Sequence, residues 1–489
     1  MANKFEEAGK KYGTVIALAV ALLVWLLPTP EGMNITQHKL LTIFSGAVVL
    51  WITLSMSVAT SNILVVALIY LWVGNPTGAE KDGMLVRQTG FALSGYGSAG
   101  LWMLVTGFII SIAMTSTGVA KRVALLMMKT FGKTPIGAVL APMLANFCIA
   151  PLTPSNTART AAMLPIVEGV AQGYQVHNNK GESNFGKGLF ISNTLASSIT
   201  AGGFMTATIP NPIAIGMIVT AIGGATLHTS WAFWALAAAP TTLIVLVLSV
   251  FVIFKLFPPE MKSIPGGLTF VKEELEKMGP VSTQEWKALL YFLLALCLWA
   301  SDMWHQLNAT MVAFAVSALI LIPKIGVLSW KEAQKGIPWE LFIFFGGVIT
   351  LSDCLTKTKA FAWVMNALVA AFGLQGIPML PLCIGLMGFT IFSHIIWSTT
   401  TAMAGVMIPI YIGMATTFGF PVVAFVLPQA ILMGYALFLP FNTMGNIIMF
   451  GTGYFSVPEL LKGGLAVGML AWLLWAITAV AWFPIIGLY

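Results

Sequence analysis

Residues 151–166, PLTPSNTARTAAMLPI, form the stretch from which the fold of this chain can be read. It places a polar cluster, Ser155-Asn156-Thr157, and the charged Arg159 among prolines in a chain that is otherwise very apolar. A related segment, TTTAMAGVMIPI, begins at Thr399, and an alignment without gaps sets Ser155 on Thr399. The agreeing positions are Thr157/Thr401, Ala158/Ala402, Met163/Met407, Pro165/Pro409 and Ile166/Ile410. This match suggests an internal repeat.

A second matched pair lies downstream of the first. The segment TIPN, Thr208–Asn211, corresponds to TMGN, Thr443–Asn446. Polar, proline- and glycine-broken segments at corresponding places in two apolar halves are typical of secondary transporters built from inverted repeats. Chance is the alternative, because Ser, Thr and Gly also occur in membrane helices as packing residues. Two matches in the same order, both at helix-breaking residues, favour the repeat.

The composition places the chain in the membrane. Its 489 residues are 58% hydrophobic and only 8% charged, whereas soluble domains carry about 25% charged residues. A transmembrane helix takes about 20 residues, so the length allows about ten to twelve crossings. The net charge of +7 is interpreted as the excess of Lys and Arg that cytoplasmic loops of membrane proteins carry. It does not indicate nucleic-acid binding, because no basic run is long enough to follow a phosphate backbone. The four cysteines have no paired spacing and predict neither a disulfide framework nor a metal site.

Interrupted apolar segments predict re-entrant structure in both halves. Five prolines between residues 134 and 166 oppose a continuous helix, because each removes a backbone donor. Two half-crossings that meet near Thr153–Thr157 fit this pattern better than one spanning helix. Such backbone is tolerated at membrane depth only inside protein or beside a wet cavity. The second half has corresponding polar groups from His394 to Thr401, and further breaks occur at Pro210 and Pro440.

We therefore predict an all-α polytopic membrane protein with about eleven transmembrane helices and two re-entrant hairpins. The segment TFVKEELEKMG, residues 269–279, predicts an amphipathic surface helix near the boundary of the repeats. The apolar run Thr14–Leu27 is interpreted as a retained first helix, and the basic loops predict that the N-terminus is cytoplasmic. The breaks and this boundary divide the chain into four predicted parts, 1–133 and 134–256 in the first repeat and 257–373 and 374–489 in the second.

Two ionisable residues in these segments are predicted to balance the charge of an anion. A charged side chain deep in a membrane segment is costly and rare, so Arg159 is a functional candidate. Its forked guanidinium suits a carboxylate bidentately. The alternative is that Arg159 reaches a headgroup layer by snorkelling. His394 stands five residues before Thr399, and packing without function remains an equal alternative for it.

The hairpin tips are predicted to bind the substrate. Hydroxyl and amide side chains there would join the free backbone N–H groups of half-helix N-termini, which suits an anion. Asn211 and Asn446 are expected mainly to support the broken helices, and the carboxyls of Glu168, Asp302 and Asp353 are expected to be solvated. The predicted substrate-binding residues are Ser155, Asn156, Thr157, Ser398, Thr399, Thr400, Thr401, Thr208, Pro210, Asn211, Thr443, Gly445 and Asn446.

The string SNT followed by ART and a proline, its altered copy in the second half, and the two Thr-x-x-Asn elements resemble the divalent anion:sodium symporter (DASS) family over nearly the whole chain. The string PSNTART and the His ahead of the second motif are similar to the bacterial citrate–succinate antiporter type. The resemblance implies a homodimer, in which a mobile transport domain carries a di- or tricarboxylate by an elevator movement against a scaffold. It assigns 1–133 and, with the surface helix, 257–373 to the scaffold, and 134–256 and 374–489 to the transport domain. It also implies that Ser155, Asn156 and Thr157 bind one carboxylate, with Thr399 to Thr401 near the other.

The chain departs from the sodium-coupled pattern of that family at two places. It has TTT where sodium-coupled relatives typically show a second SNT, and Arg159 where they typically show Thr. A guanidinium repels Na⁺ placed beside it, and an empty carrier with fixed charge crosses the membrane poorly. We therefore expect sodium-independent exchange of dicarboxylates such as succinate, malate, 2-oxoglutarate or fumarate, with no cofactor or metal.

Three alternatives remain from the sequence. The first is a sodium-coupled symporter whose cation site tolerates Arg159. The second is a channel, although channels favour continuous pores and rings of residues. The third is a membrane enzyme, for which the sequence offers no nucleophile–base pair and no metal-ligand spacing.

Overall fold

A computed structural model describes residues 2–174, 176, 183–260, 269–373, 376–397 and 399–489. The chain is built from helices, with one two-stranded antiparallel ribbon, β1 (Glu80–Lys81) and β2 (Met84–Leu85). The predicted all-α class is confirmed, because the ribbon is only a turn between helices. Seven helices among the described residues are long and apolar enough to cross a membrane, and shorter apolar helices accompany them.

The helices fall into two halves. Those of the first half are α1 (Ala2–Leu26), α2 (Ile35–Thr53), α3 (Val58–Leu68), α4 (Thr89–Ala92), α5 (Ala99–Ser116), α6 (Val119–Phe131), α7 (Pro135–Ile149), α8 (Asn156–Gly173), α9 (Asn184–Gly203), α10 (Pro210–Ile222), α11 (Trp231–Leu256) and α12 (Thr269–Met278). Those of the second half are α13 (Thr283–Ala300), α14 (Asp302–His305), α15 (Ala309–Leu321), α16 (Trp330–Gly336), α17 (Trp339–Lys357), α18 (Ala360–Phe372), α19 (Met379–Ser393), α20 (Thr400–Phe418), α21 (Val422–Leu432), α22 (Met444–Phe450), α23 (Val457–Ile477) and α24 (Phe483–Ile485). Short 3₁₀ turns occupy Ser94–Gly97, Ala150–Leu152, Leu227–Thr229 and Pro440–Asn442, and π-helical turns occupy Ile69–Val73 and Thr478–Trp482.

The repeat appears as matched helices. Helices α7 and α19 each contain 15 residues, and both their first and their last residues are separated by the 244 positions that align Ser155 with Thr399. Helices α8 and α20 begin at the same spacing, and Pro165 and Pro409 lie inside them. In each pair a break of a few residues separates the two helices. The pairs α7–α8 and α19–α20 are called the first and second hairpins below, and residues 153–157 and 397–401 are called their tips.

The predicted surface helix is present as α12, and it is fixed to the neighbouring helix α6. Nζ of Lys121 lies 2.8 Å from Oε2 of Glu274. The next helix, α13, is fixed to α6 as well: Arg122 binds both carboxylate oxygens of Glu285 on α13 at 2.7 and 3.1 Å, an arrangement with directional specificity as well as charge. The ring of Phe270 on α12 packs directly on the backbone of α8 at Gly169. This end of the molecule therefore joins α6, α8 and α12.

Two carboxyls that the sequence predicted to be solvated are instead buried, so that prediction is wrong for them. Asp302 accepts hydrogen bonds from the backbone amides of Trp231 at 2.7 Å and Ala232 at 3.3 Å, and thereby caps the N-terminus of α11. Its side chain satisfies amides that the first turn of a helix cannot satisfy itself. Asp353 is buried beside Lys357, whose Nζ lies 2.7 Å away.

Candidate substrate site

Each hairpin tip leads into the N-terminus of a helix that starts inside the protein. Ser155 caps α8, where its Oγ accepts from the amide of Ala158 at 3.2 Å. Thr399 caps α20 in the same way, where its Oγ1 accepts from the amide of Ala402 at 3.0 Å. A Ser or Thr cap satisfies one of the free amides of the first turn and leaves others for a ligand.

The remaining tip residues follow these caps directly. In α8, Asn156 is buried and Thr157 is partly exposed; in α20, Thr400 is at the limit of burial and Thr401 is partly exposed. Ser398, also predicted to bind substrate, lies outside the described residues. The two tips thus present hydroxyl groups beside the positive ends of two helix dipoles.

Arg159 lies one turn into α8 and is completely buried. Its Nε donates to Oδ1 of Asn146 at 3.0 Å, and its Nη2 donates to Oδ1 of Asn156 at 2.8 Å and to the carbonyl oxygen of Ser197 at 3.0 Å. Nη1 donates to the carbonyl oxygens of Thr153, at 2.5 Å, and of a residue in the break between α9 and α10, Ala207. All five N–H groups of the guanidinium are therefore used by protein oxygens.

This arrangement corrects the expectation that the guanidinium fork of Arg159 holds a substrate carboxylate. The acceptors are amide and carbonyl oxygens, which are neutral, and Arg159 has no ion pair with any acidic side chain in the described part of the chain. The side chain joins both helices of the first hairpin to α9 and leaves its positive charge without a carboxylate partner. Its predicted role in balancing charge stays a prediction.

Further polar groups extend the Arg159 network into α9. Nδ2 of Asn146 donates to Oγ of Ser197 at 2.8 Å, and Ser197 in turn lies 2.7 Å from Oγ1 of Thr160. Oγ1 of Thr200 donates to Oδ1 of Asn146 at 2.8 Å. The sequence reasoning did not identify Asn146, Ser197 or Thr200, and the only signal was an amide inside the otherwise apolar helix α7.

His394 follows the last residue of α19 and is fully buried. Its Nδ1 lies 3.0 Å from the carbonyl oxygen of Thr390 and 3.1 Å from that of Ile391, and its Nε2 lies 3.1 Å from that of Met433. Carbonyl oxygens only accept hydrogen bonds, so a doubly protonated ring can donate at both nitrogens. The structure therefore gives both ring nitrogens of His394 carbonyl acceptors and no anion among the described residues, and its predicted role in balancing charge stays a prediction.

The two broken helices are supported by asparagines in their second halves. Asn211 donates at 2.7 Å to the carbonyl oxygen of Ala201 in the last turn of α9 and at 2.9 Å to that of Phe204 in the break, and Asn446 donates to two carbonyl oxygens of the second break at 2.9 and 3.2 Å. Thr443 caps α22 through the amide of Asn446. Thr208 is buried in the first break, and Pro210 begins α10. The expectation of structural support thus agrees with the contacts of both asparagines.

Each broken helix packs against the hairpin of the other repeat. Helix α22 contacts α8, and α10 contacts α20. The approach of α22 is so close that a Cβ on Gly445 would lie 2.7 Å from Oγ1 of Thr160, so only glycine fits there. The predicted residues of the first tip and of the TMGN segment are thereby brought together, as are those of the second tip and of the TIPN segment.

Exposure differs between the repeats at matched positions. Ala161 and Pro165 on α8 are exposed, whereas their counterparts Gly405 and Pro409 on α20 are buried. On the broken helices, Met444 is 60% exposed and its counterpart Ile209 is 8% exposed. Helices α8 and α22 run to the end of the molecule that carries α6 and α12, so the more exposed of the matched surfaces lies toward that end.

A cavity of about 390 Å³ lies elsewhere, between α10 on one side and α5 and α15 on the other. Its lining includes Met205, Pro212, Asp302 and Asn308 but none of the predicted tip residues. We therefore place the candidate site at the tips and not in this cavity. No group of metal-ligating side chains occurs within the described ranges.

A third SNT string, Ser192-Asn193-Thr194, shows what the motif does without flanking prolines. It lies in the middle of α9, where Asn193 and Thr194 bind back to the carbonyl oxygens of Leu189 and Phe190. The motif alone therefore does not make a tip; the helix break before it is required.

Comparison with known proteins identifies one family over almost the entire chain. The family model described as the sodium:sulfate symporter transmembrane region matches residues 9–489. A membrane protein of Cupriavidus necator is 28% identical over 482 residues, which cover 97% of this chain and 93% of that protein. The L-tartrate/succinate antiporter of Escherichia coli K12 is 27% identical over 481 residues, covering 96% and 97%.

Two solved transporter structures share the fold. The YdaH transporter of Alcanivorax borkumensis superposes with a TM-score of 0.56 at 12% identity, covering 92% of this chain and 98% of that one. MtrF of Neisseria gonorrhoeae gives a TM-score of 0.58 at 14% identity, covering 91% and 97%. At these identities the likeness concerns the architecture alone.

Proposed function

The chain belongs to the sodium:sulfate symporter family, the DASS family that its motifs resemble, and from that premise we propose that it exchanges small dicarboxylates across a bacterial inner membrane. The family and the names of its relatives support a membrane transporter over an enzyme. The name of the E. coli relative, an L-tartrate/succinate antiporter, supports both the dicarboxylate class and the exchange.

The observation that carries this proposal is the pair of capped helix starts inside the protein. Helices α8 and α20 begin directly after their caps Ser155 and Thr399, which are 244 positions apart, with further hydroxyl groups in each first turn. A helix N-terminus offers backbone N–H groups and a positive dipole end to an anion. Two such ends suit the two carboxylates of one dicarboxylate, with Thr157 and Thr401 as the partly exposed hydroxyl donors.

Sodium independence is supported by charge. Arg159 brings a positive charge into the site region without an acidic partner among the described residues. This charge offsets part of the charge of a bound dianion, whereas the empty carrier would move it uncompensated through a low dielectric. Exchange of one dicarboxylate for another avoids that step. An elevator movement of the hairpins and broken helices against the remaining helices is the form of transport that we propose.

The orientation follows from the basic residues. The end that carries α6 and α12 includes Lys121, Arg122 and Lys129 on α6 and Lys133 directly after it. Because cytoplasmic loops are enriched in Lys and Arg, we assign this end and the N-terminus to the cytoplasm. The exposed faces of α8 and α22 then correspond to a conformation that is open to the cytoplasm.

The test is uptake of radiolabelled succinate into proteoliposomes. The vesicles contain either unlabelled succinate or none, and external Na⁺ is either present or replaced by K⁺. We expect uptake that requires internal succinate and does not change when K⁺ replaces Na⁺. Uptake into empty vesicles driven by a Na⁺ gradient would refute exchange and favour a symporter, and release of a chemically altered product would point to an enzyme.

A matched pair of variants then locates the site. Thr157→Val replaces the partly exposed hydroxyl of the first tip by a methyl group, and Thr194→Val makes the same change in the SNT string inside α9. We expect Thr157→Val to raise the KM for succinate roughly tenfold, as expected for one lost hydrogen bond to a charged group, and Thr194→Val to leave the KM unchanged. Equal effects of the two variants would contradict the proposed site.

A further inference from the structure

Arg159 and Asn442 bind equivalent backbone atoms in the two repeats. Nη1 of Arg159 donates to the carbonyl oxygen of Thr153 in the first tip. Nδ2 of Asn442 donates to the carbonyl oxygen of Trp397 in the second tip, at 2.9 Å. Trp397 corresponds to Thr153 in the alignment of the tips. The same carbonyl group is therefore held in both repeats, by an ionic side chain in one and by a neutral side chain in the other.

The two side chains come from different elements. Arg159 stands on the hairpin helix and reaches the break at Ala207. Asn442 stands in the break, at the position that corresponds to Ala207 when Asn211 is aligned with Asn446, and it reaches the hairpin. The position that corresponds to Arg159 is occupied by Met403. In the first repeat the donor, Arg159, stands on the hairpin helix, and Ala207 stands in the break. In the second repeat Met403 stands on the hairpin helix, and the donor, Asn442, stands in the break.

We propose that Asn442 is the positioning residue of the second tip, as Arg159 is of the first. Asn442 is 1% exposed, so it does not reach a ligand itself. Its two amide hydrogens go to Trp397 and His394, and its Oδ1 accepts from the amide of Leu439 at 2.9 Å. Its two amide hydrogens therefore hold the end of α19 and the tip to the break, while its Oδ1 stays bonded within the break, and it acts on a substrate only through Thr399 and its neighbours.

A physical requirement explains the duplication. Both tips interrupt helices inside a membrane protein, so their carbonyl groups have no intrahelical donor and no bulk water. A buried carbonyl without a donor is costly, and a tip that lacks this bond is free to move relative to the break. The inference rests on the proposed function only where it says that the tips bind a dicarboxylate; the bonds themselves do not depend on the substrate.

The first experiment measures hydrogen–deuterium exchange in nanodiscs, which needs no substrate. Asn442→Ala removes the donor, and Asn442→Asp keeps the shape and the acceptor for Leu439 but replaces the donating group by an oxygen. We expect both variants to raise amide exchange at residues 394–397 roughly tenfold. The control is Asn193→Ala, which removes a buried amide that binds only its own helix. Unchanged exchange in the Asn442 variant that folds would overturn the proposal.

The second experiment introduces the Met and Asn of the second repeat at the corresponding positions of the first repeat. Arg159→Met should loosen the first tip, and the double variant Arg159→Met/Ala207→Asn should restore slow exchange at residues 153–157, because the introduced asparagine can donate to the tip as Asn442 does. If Arg159→Met does not fold, recovery of a folded protein in the double variant is the expected result. A double variant that is no better protected, or no better folded, than the single one would refute the equivalence.

Measurement of succinate uptake tests whether the hydrogen bonds of Asn442 position the second tip for the substrate. In Asn442→Asp we expect the KM for succinate to rise roughly tenfold or more while the amount of folded transporter is unchanged, and the Asn193→Ala control to keep its KM. A lower amount of protein with an unchanged KM would mean a merely structural role. If wild-type protein does not transport succinate, the proposed function fails, while the exchange experiments still decide the role of Asn442.

Discussion

Asn211 and Asn446 make the same pair of hydrogen bonds in the two repeats. Each donates its side-chain amide to the carbonyl oxygens of the residues ten and seven positions before it, which are Ala201 and Phe204 for Asn211 and Ala436 and Leu439 for Asn446. These carbonyl groups are the ones that lose their helical donors where the helix breaks. One asparagine therefore replaces the missing turn of helix in each half.

Replacing either asparagine should destabilise the protein. Asn211→Ala or Asn446→Ala leaves two buried carbonyl groups without a donor, which costs about 2–4 kcal/mol of the free energy of unfolding. The measurement is thermal unfolding of the detergent-solubilised protein, with Asn193→Ala as control, because Asn193 binds a carbonyl group within its own helix. Equal unfolding temperatures for Asn446→Ala and the control would show that the break does not need this side chain.

Arg159→Lys should separate the charge of Arg159 from its geometry. Lysine keeps the positive charge, but its ammonium group has three donors at one point and cannot reach the five oxygens that surround the guanidinium. We expect a loss of roughly 3 kcal/mol in the free energy of unfolding and at least a tenfold decrease in succinate exchange, measured at equal amounts of folded protein. Wild-type exchange in Arg159→Lys would mean that charge alone suffices.

The fold was predictable because the residues that break membrane helices can be recognised in the sequence. Prolines and hydroxyl residues in apolar segments located both hairpins, and the spacing that aligns Ser155 with Thr399 is also the spacing of the helix starts Asn156 and Thr400. The likeness of the TIPN and TMGN segments predicted the second pair of breaks. These features depend only on residues that are close in the sequence, so the residue types alone were sufficient to predict the breaks.

The surroundings of the charged groups were not predictable, because most partners there are backbone carbonyl oxygens. A carbonyl group belongs to every residue, so the sequence does not show that Arg159 binds those of Ser197 and Thr153. Asp302 was misjudged for a related reason: its partner is the start of α11, some seventy positions away. Side-chain chemistry marks residues as candidates for the site, but the fold decides what they contact.

The contact between α6 and α12 should depend on pH. Nζ of Lys121, and next that of Lys277, hold the pKa of Glu274 at about 2, below its usual value. A lowered pKa in the folded state means that this carboxylate stabilises the fold above a pH of about 4.3, and that the contribution is lost as the pH falls toward 2.

The corresponding variant is Glu274→Gln. At pH 7 we expect it to cost less than about 1 kcal/mol, because Lys121 and Glu274 are partly exposed and the pair is screened by water. The difference in unfolding temperature between wild type and variant should shrink from pH 5 to pH 3.5. Glu276→Gln on the same helix has no ion pair within the described residues and serves as control. A difference that grows as the pH falls would contradict the assignment.

The exposure of Met444 and the burial of Ile209 predict the direction in which the site opens. The two residues occupy corresponding positions in the repeats but are 60% and 8% exposed. The background for the test is a protein in which the exposed Cys148 and Cys297 have been replaced by alanine. In that background Met444→Cys should react with a membrane-impermeant maleimide at least about tenfold faster than Ile209→Cys, because such a reagent reaches only side chains that water reaches. The reagent should act from the side that carries α6 and α12, and saturating succinate should slow the reaction of Met444→Cys if the ligand closes the tips. Faster labelling of Ile209→Cys, or labelling of Met444→Cys from the opposite side only, would mean that the protein in the membrane opens at the other end.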